Sequence, residues 1–126
     1  MTEFMLPFPP TQLSPNARLH WAKVSKWKKA YKHACWEQVL LQKVQVDQGD
    51  CKLKLELVFH RPIKRSMDLD NLLARMKSGL DGVCLGLKID DKRFDPVVVS
   101  IADEVGGFVK VKISKHEDKN GIEKTI

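Results

Sequence analysis

Residues 53–83 read LKLELVFHRPIKRSMDLDNLLARMKSGLDGV, and the change of period inside this stretch decides the fold. Leu53, Leu55, Leu57 and Phe59 alternate with Lys54, Glu56 and Val58. Successive side chains of a strand point to opposite faces, so this is a strand with one apolar face. A basic loop, His60 to Met67, carries Arg61, Lys64 and Arg65. Beyond it Leu72, Leu73, Met76, Leu80 and Val83 recur at three-and-four spacing, which builds an amphipathic helix. That helix is expected to start near Asp68 or Asp70 and to fade around Gly82 to Gly86.

Upstream, Phe4 to Leu6 supply a short strand that Pro7, Pro9 and Pro10 stop, because proline donates no backbone N–H. Thr11 to Leu19, with Ser14-Pro15-Asn16, reads as an ordered turn or loop. From about Trp21 to Val46 the pattern is helical: Val24, Trp27, Tyr31, Ala34, Cys35, Gln38 and Leu41 or Gln42 form one stripe, with Lys23, Lys26, Lys29 and Lys32 turned elsewhere. Downstream, strands are expected within Pro96 to Ala102 and from Phe108 to Ser114, with Gly106-Gly107 between them as a hairpin signal. The order β-α-β-α-β-β predicts an α+β domain over residues 1–114, a mixed or antiparallel sheet with two helices packed on it, largely on one side. Residues 115–126 are expected to form a flexible tail.

At 126 residues, 43% hydrophobic and 30% charged, the chain has the make-up of one globular domain. The net charge is +6 and the pI about 9.3, which points to an anionic partner such as nucleic acid. The charge is uneven: residues 1–65 hold 12 basic against 5 acidic side chains, and residues 66–126 hold 10 against 11. Cys35, Cys51 and Cys84 are odd in number and widely spaced, so a disulfide framework and a zinc knuckle are both unsupported and a reducing, cytoplasmic setting is expected. No apolar run approaches the roughly 20 residues that cross a bilayer, so no membrane partner is expected.

Four features of residues 68–95 carry possible chemistry: Asp68-Leu69-Asp70-Asn71, Lys77, Asp81 and Asp90-Asp91. Positions two apart in an extended segment point the same way, so Asp68 and Asp70 can turn both carboxylates to one spot. Such a pair either retains a proton or holds a cation, and Mg²⁺ suits oxygen ligands of this kind. Plain structural work fits the same residues: Asp before an apolar helix is a favoured N-cap, Asp90-Asp91 suits a solvated turn, and Lys77 and Asp81 suit a solvated helix face. Acids in a basic protein gain meaning together, because a nuclease needs positive surface for phosphates and an acidic well for metal. Trp21, Trp27 and Trp36 at helical spacing are expected in the core, with base stacking as the alternative. His20, His33, His60 and His116 form no metalloprotease pattern, and neither a nucleophile elbow nor a Gly-rich phosphate loop is present.

Leu6-Pro7-Phe8-Pro9-Pro10, Ser14-Pro15-Asn16-Ala17-Arg18, Asp68-Leu69-Asp70-Asn71-Leu72 and Ile89-Asp90-Asp91, in that order, resemble the RusA family of Holliday junction resolvases found in phages and prophages. The likeness runs from about residue 6 to 114, and D-x-D-N followed about twenty residues later by D-D is its specific part. It implies a homodimeric Mg²⁺-dependent endonuclease, with Mn²⁺ as a substitute, that nicks two opposed strands of four-way junction DNA in a bacterial or phage-infected cell. It also implies that Asp68, Asp70 and Asp91 are metal-binding and catalytic. A lysine of the following helix is functional in the family. At the family's closest spacing this chain has Ala74, so the role is assigned to Lys77, with Arg75 as the substitute. Lys23, Lys26, Lys29, Lys64 and Arg65 are the expected DNA-gripping residues. The alternatives are a non-catalytic DNA-binding protein, a metal nuclease acting on another branched DNA, and a module that binds an acidic protein.

Overall fold

The computed structural model describes residues 1–116. The elements are β1 (Thr2–Pro7), a 3-10 turn (Thr11–Leu13), α1 (Trp21–Leu41), β2 (Leu53–His60), α2 (Leu69–Leu87), a second 3-10 turn (Asp91–Arg93), β3 (Phe94–Ile101) and β4 (Phe108–Lys115). The expected α+β architecture of two helices on a four-stranded sheet is what forms, and the sheet is mixed, in the order β1-β4-β2-β3. β2 and β3 are parallel, while β4 runs antiparallel to both β1 and β2. β1 is therefore parallel to β2 as well, and each helix is a crossover between parallel strands, as such pairs require. Of the expected tail, Lys115 ends β4, and residues 117–126 lie outside the described residues.

One apolar face of the sheet carries the helices. Phe4 and Leu6 of β1, Leu53, Leu55, Leu57 and Phe59 of β2, and Val109, Val111 and Ile113 of β4 are buried against Tyr31, Cys35 and Val39 of α1 and Leu72, Met76, Val83 and Leu87 of α2. The opposite face keeps Lys54, Glu56, Val58, Lys110 and Lys112. The two outer edges differ. That of β1 is closed by the Gln42 side chain, whose Oε1 accepts from the Met5 N–H (3.1 Å) and whose Nε2 donates to the Met5 carbonyl (2.7 Å). That of β3 has no strand beside it among the described residues.

Several expectations are corrected. Gly106-Gly107 does not close a hairpin, because β2 lies between β3 and β4. The two glycine N–H groups instead donate to Arg61 and His60 carbonyls (2.8 Å each), and Gly107 takes φ +78° to turn the chain past the end of β2. α1 stops at Leu41 and does not reach Val46: Lys43 adopts φ 52°, and the N–H groups of Lys43 and Val44 close on the Leu40 and Val39 carbonyls (3.1 and 3.0 Å). Its buried stripe runs through Tyr31, Cys35 and Val39, leaving Trp27 and Leu41 exposed. α2 runs one residue past the expected Gly82–Gly86 stop, to Leu87, and Gly82 within it is where α1 presses closest, a Cβ there falling 2.1 Å from the Lys32 carbonyl oxygen.

Gly79 faces Tyr31 and Cys35, Gly82 faces Lys32 and Trp36, and Gly86 faces Val39. The contacts advance together along both chains, so α1 and α2 run side by side in the same direction with their N-termini at one end of the molecule. No helix among the described residues is long and apolar enough to cross a membrane.

Candidate functional site

The connections that follow β1 and β2 leave the sheet at the same end, the carboxyl end of its parallel strands, where α1 and α2 begin. Open sheets with helical crossovers place ligands at this end. Three of the four sequence segments that carry the family resemblance meet here. Asp68 stands in extended conformation (φ −80°, ψ 124°), and its Oδ1 accepts from the Asp70 N–H at 3.0 Å. The capping alternative is thus realised, with the two aspartates adjacent at the positive end of the α2 dipole. Both carboxylates are exposed, and neither enters an ion pair among the described residues.

The neighbouring Asn71 donates from Nδ2 to Ser14 Oγ (2.9 Å), which also accepts from the Asn16 N–H (3.2 Å). The Ser14-Pro15-Asn16 turn is tied in this way to the start of α2. Arg75, only 6% exposed, reaches back to the proline-rich segment, where Nε donates to the Pro10 carbonyl (3.1 Å), Nη2 donates to the Pro9 carbonyl, and the guanidinium lies 5.4 Å from the centre of the Phe8 ring. Burial lowers the pKa of this guanidinium from its ordinary value. Arg75 is therefore a clamp that holds the Pro9-Pro10 segment, and the expectation that it substitutes for Lys77 is corrected: the group is buried, with Nε and Nη2 turned onto carbonyls inside the protein. Lys77 is exposed. Seven residues beyond Asp70, it falls on nearly the same helix face and about 10 Å further along the axis.

Asp91 is elsewhere. It opens the 3-10 turn that follows α2, and the 19 residues of α2 span about 28 Å. Within one chain, then, Asp91 stands at the opposite end of α2 from Asp68 and Asp70, and the expectation that one chain gathers all three is corrected. Among the described residues no group of three potential metal-ligating side chains comes together. Other acids lie near the far end of α2. Burial first, and then the nearby carboxylates of Asp91, Asp81 and Asp90, push the Cys84 thiol up to about 12. Asp90 caps the 3-10 turn by accepting from the Lys92 N–H (2.8 Å), and this bond, followed by contact with the Asp91 carboxyl, lowers its pKa. Carboxylates beside a helix C-terminus sit at the negative end of its dipole, where a cation is the stabilising neighbour.

The expected basic residues surround the Asp68–Asp70 end. Lys64 and Arg65 lie exposed in the connection that leads into Asp68, and Lys23, Lys26 and Lys29 lie exposed on the N-terminal half of α1. None of the five enters an ion pair among the described residues. Between Glu3 and Glu37 the chain has no acidic side chain at all. The tryptophans depart from the expectation of a core role: Trp21 is 76% exposed, Trp27 is exposed, and Trp36 is half-buried beside Gly86. The Arg75 clamp and the Ser14–Asn71 bond were not foreseen. The sequence hint for the clamp was an arginine on the buried side of α2, one residue before Met76.

No family model matches the chain. It is similar to an uncharacterized protein of Xylella fastidiosa (strain Temecula1 / ATCC 700964), with 37% identity over 99 residues, which cover 75% of this chain and 63% of that protein. The chain thus spans less than two thirds of the length of the relative it matches.

Proposed function

We propose that the protein is a metal-dependent endonuclease of the RusA type, acting as a homodimer on four-way junction DNA. The observation that carries this reading is the meeting of two exposed carboxylates, Asp68 and Asp70, with a basic surface, neither having an ion-pair partner among the described residues. Acids placed among phosphate-binding lysines have a purpose if a cation is bound between them and the DNA.

The donor set fits Mg²⁺, or Mn²⁺ in its place. Asp68 and Asp70 offer hard oxygen ligands, one Asp68 oxygen remaining free of its capping bond, and Mg²⁺ needs only one or two carboxylates in company with water and phosphate oxygens. When bound, the ion would supply Lewis-acid polarisation of the phosphate and an acidified water. The chain's own residues do the rest. Asp68 and Asp70 hold the site at the start of a rigid helix, Asn71 and Ser14 fix the turn beside it, Lys77 offers an ammonium to developing phosphate charge, and Lys64, Arg65, Lys23, Lys26 and Lys29 hold the DNA arms by their backbones.

Asp91 enters such a site from a second copy. A two-fold axis perpendicular to α2 and passing beside its midpoint sets the two helices antiparallel, and the Asp91 end of one protomer then faces the Asp68–Asp70 end of its partner. The open edge of β3, with Val97 and Val98 exposed, suits the same arrangement, since α2 lies over the β3 side of the sheet. Each of the two sites would then be incomplete without the partner, and two sites related by a two-fold match a substrate with two-fold symmetry.

The test compares wild type with Asp70→Asn on a synthetic four-way junction with Mg²⁺. The expected result is binding by both proteins and paired nicks by the wild type alone. Binding by both with cleavage by neither would overturn the enzymatic reading in favour of a non-catalytic DNA-binding protein. Equal cleavage of junction, flap and duplex would overturn the junction as its substrate.

A further inference from the structure

We infer that the N-terminal half of α1 is a stacking surface for unpaired DNA bases, with Trp21 and Trp27 as the stacking side chains. The inference rests on the DNA-binding part of the proposed function and not on catalysis. Trp21 is the first residue of α1 and leaves three quarters of its surface in water, which is far outside what a core indole shows. Its ring lies 5.4 Å from that of His20, centre to centre and tilted by 33°, so two flat side chains are presented together at the helix start. Trp27 follows about 9 Å further along the axis. Beside it are Lys23, Lys26 and Ala30, and Ala30 leaves an open hollow next to the indole between it and Lys26.

Two observations select nucleic acid over a protein partner. The first is charge: every ionisable side chain from Arg18 to His33 is basic apart from Tyr31, and no lysine of this stretch has an ion-pair partner among the described residues. Aromatic faces interleaved with free cations are the composition that holds single strands, because each base has a flat face and each nucleotide a phosphate. The second is position. Tyr31 and Cys35 of α1 face Gly79 of α2 and the helices run in the same direction. Trp21, ten residues before Tyr31, is therefore roughly level along the shared direction with Asp70, nine residues before Gly79. Unpaired bases held there would lie at the same end of the molecule as the Asp68–Asp70 carboxylates. A stacked duplex offers no free base faces, so this surface favours DNA whose pairs are open, as at the centre of a junction.

The test is an anisotropy titration of dye-labelled DNA, with indole fluorescence of the wild type read alongside, in metal-free buffer, where cleavage cannot occur, with an oligothymidylate of about 15 nucleotides and with a duplex of equal length. The proteins are wild type, Trp21→Ala, Trp27→Ala, the double variant, Trp21→Phe with Trp27→Phe, and Lys26→Ala; circular dichroism establishes that each is folded. The inference expects indole quenching by the single strand and a loss of single-strand affinity of about tenfold or more per Trp→Ala. It also expects duplex affinity to change less than twofold, the double Phe variant to regain most of the loss, and Lys26→Ala to weaken both DNAs and flatten their salt dependence. Unchanged single-strand binding by the folded double Ala variant overturns the inference, as does an equal loss on both DNAs. Loss of junction cleavage in Asp70→Asn with quenching intact bears only on the nuclease proposal, so the two can fail separately.

Discussion

At the scale of single residues, Arg75 shows how a charged side chain can be structural. Its guanidinium satisfies the Pro9 carbonyl from within the protein and shares the Pro10 carbonyl with the Leu13 N–H (3.1 Å). Arg75→Ala removes charge-assisted hydrogen bonds and strands the buried Pro9 carbonyl, so it is expected to lower the unfolding free energy by about 2–4 kcal/mol. Lys77→Ala, an exposed change, should stay within about 0.5 kcal/mol. Urea denaturation of the two variants checks both figures, and a neutral Arg75→Ala would show that the clamp is not formed. A second residue-scale prediction concerns Cys35, whose fully buried thiol is pushed up to about 12, chiefly by loss of solvent and against the lowering effect of its bond with Tyr31. An unfolded chain releases this proton near pH 9 and the folded chain holds it, so the folded state binds more protons and stability falls as pH rises from about 9 to 12, by up to about 1.4 kcal/mol per pH unit. Denaturant midpoints measured between pH 8 and 11 should fall accordingly, and a rise across that range would contradict the burial of the thiol. At this scale the sequence was informative about Asp68 as a cap and silent about Arg75, because an arginine at helical spacing looks the same whether it faces water or a neighbouring carbonyl.

At the scale of elements, β2 and α2 were legible because a period of two and a period near 3.6 are direct consequences of backbone geometry. Element ends were less so. Both helices close with a lysine, Lys43 or Lys88, in the left-handed region, where the favoured sign is glycine. The glycines of α2 carried the opposite meaning, since they mark where α1 presses closest. Gly82→Ala puts a methyl group 2.1 Å from the Lys32 carbonyl oxygen, a backbone atom that can move only with α1. The expected cost is about 1–3 kcal/mol, against the gain of a few tenths or more that alanine brings to an open helix site. Thermal denaturation decides between them, and a stabilised Gly82→Ala would mean that the helices lie further apart than described.

At the scale of the whole molecule, strand order was beyond reach of the sequence. The insertion of β4 between β1 and β2 depends on pairings between residues more than a hundred positions apart, such as Thr2 with Ile113, and no local signal records them. The same holds for the candidate site. The sequence offered Asp68, Asp70 and Asp91 as a set, but only the fold reveals that α2 separates the last from the first two, so that a shared ion needs a second chain. This arrangement makes a prediction that no single-chain site makes. Asp70→Asn and Asp91→Asn proteins, each inactive alone, are mixed, allowed to exchange protomers, and given a four-way junction with Mg²⁺. In a mixed dimer one site joins the intact Asp68 and Asp70 of one chain to the intact Asp91 of the other, so nicking of a single strand should return. If mixed dimers form and no nick appears, Asp91 does not act across the two-fold and the shared site is wrong.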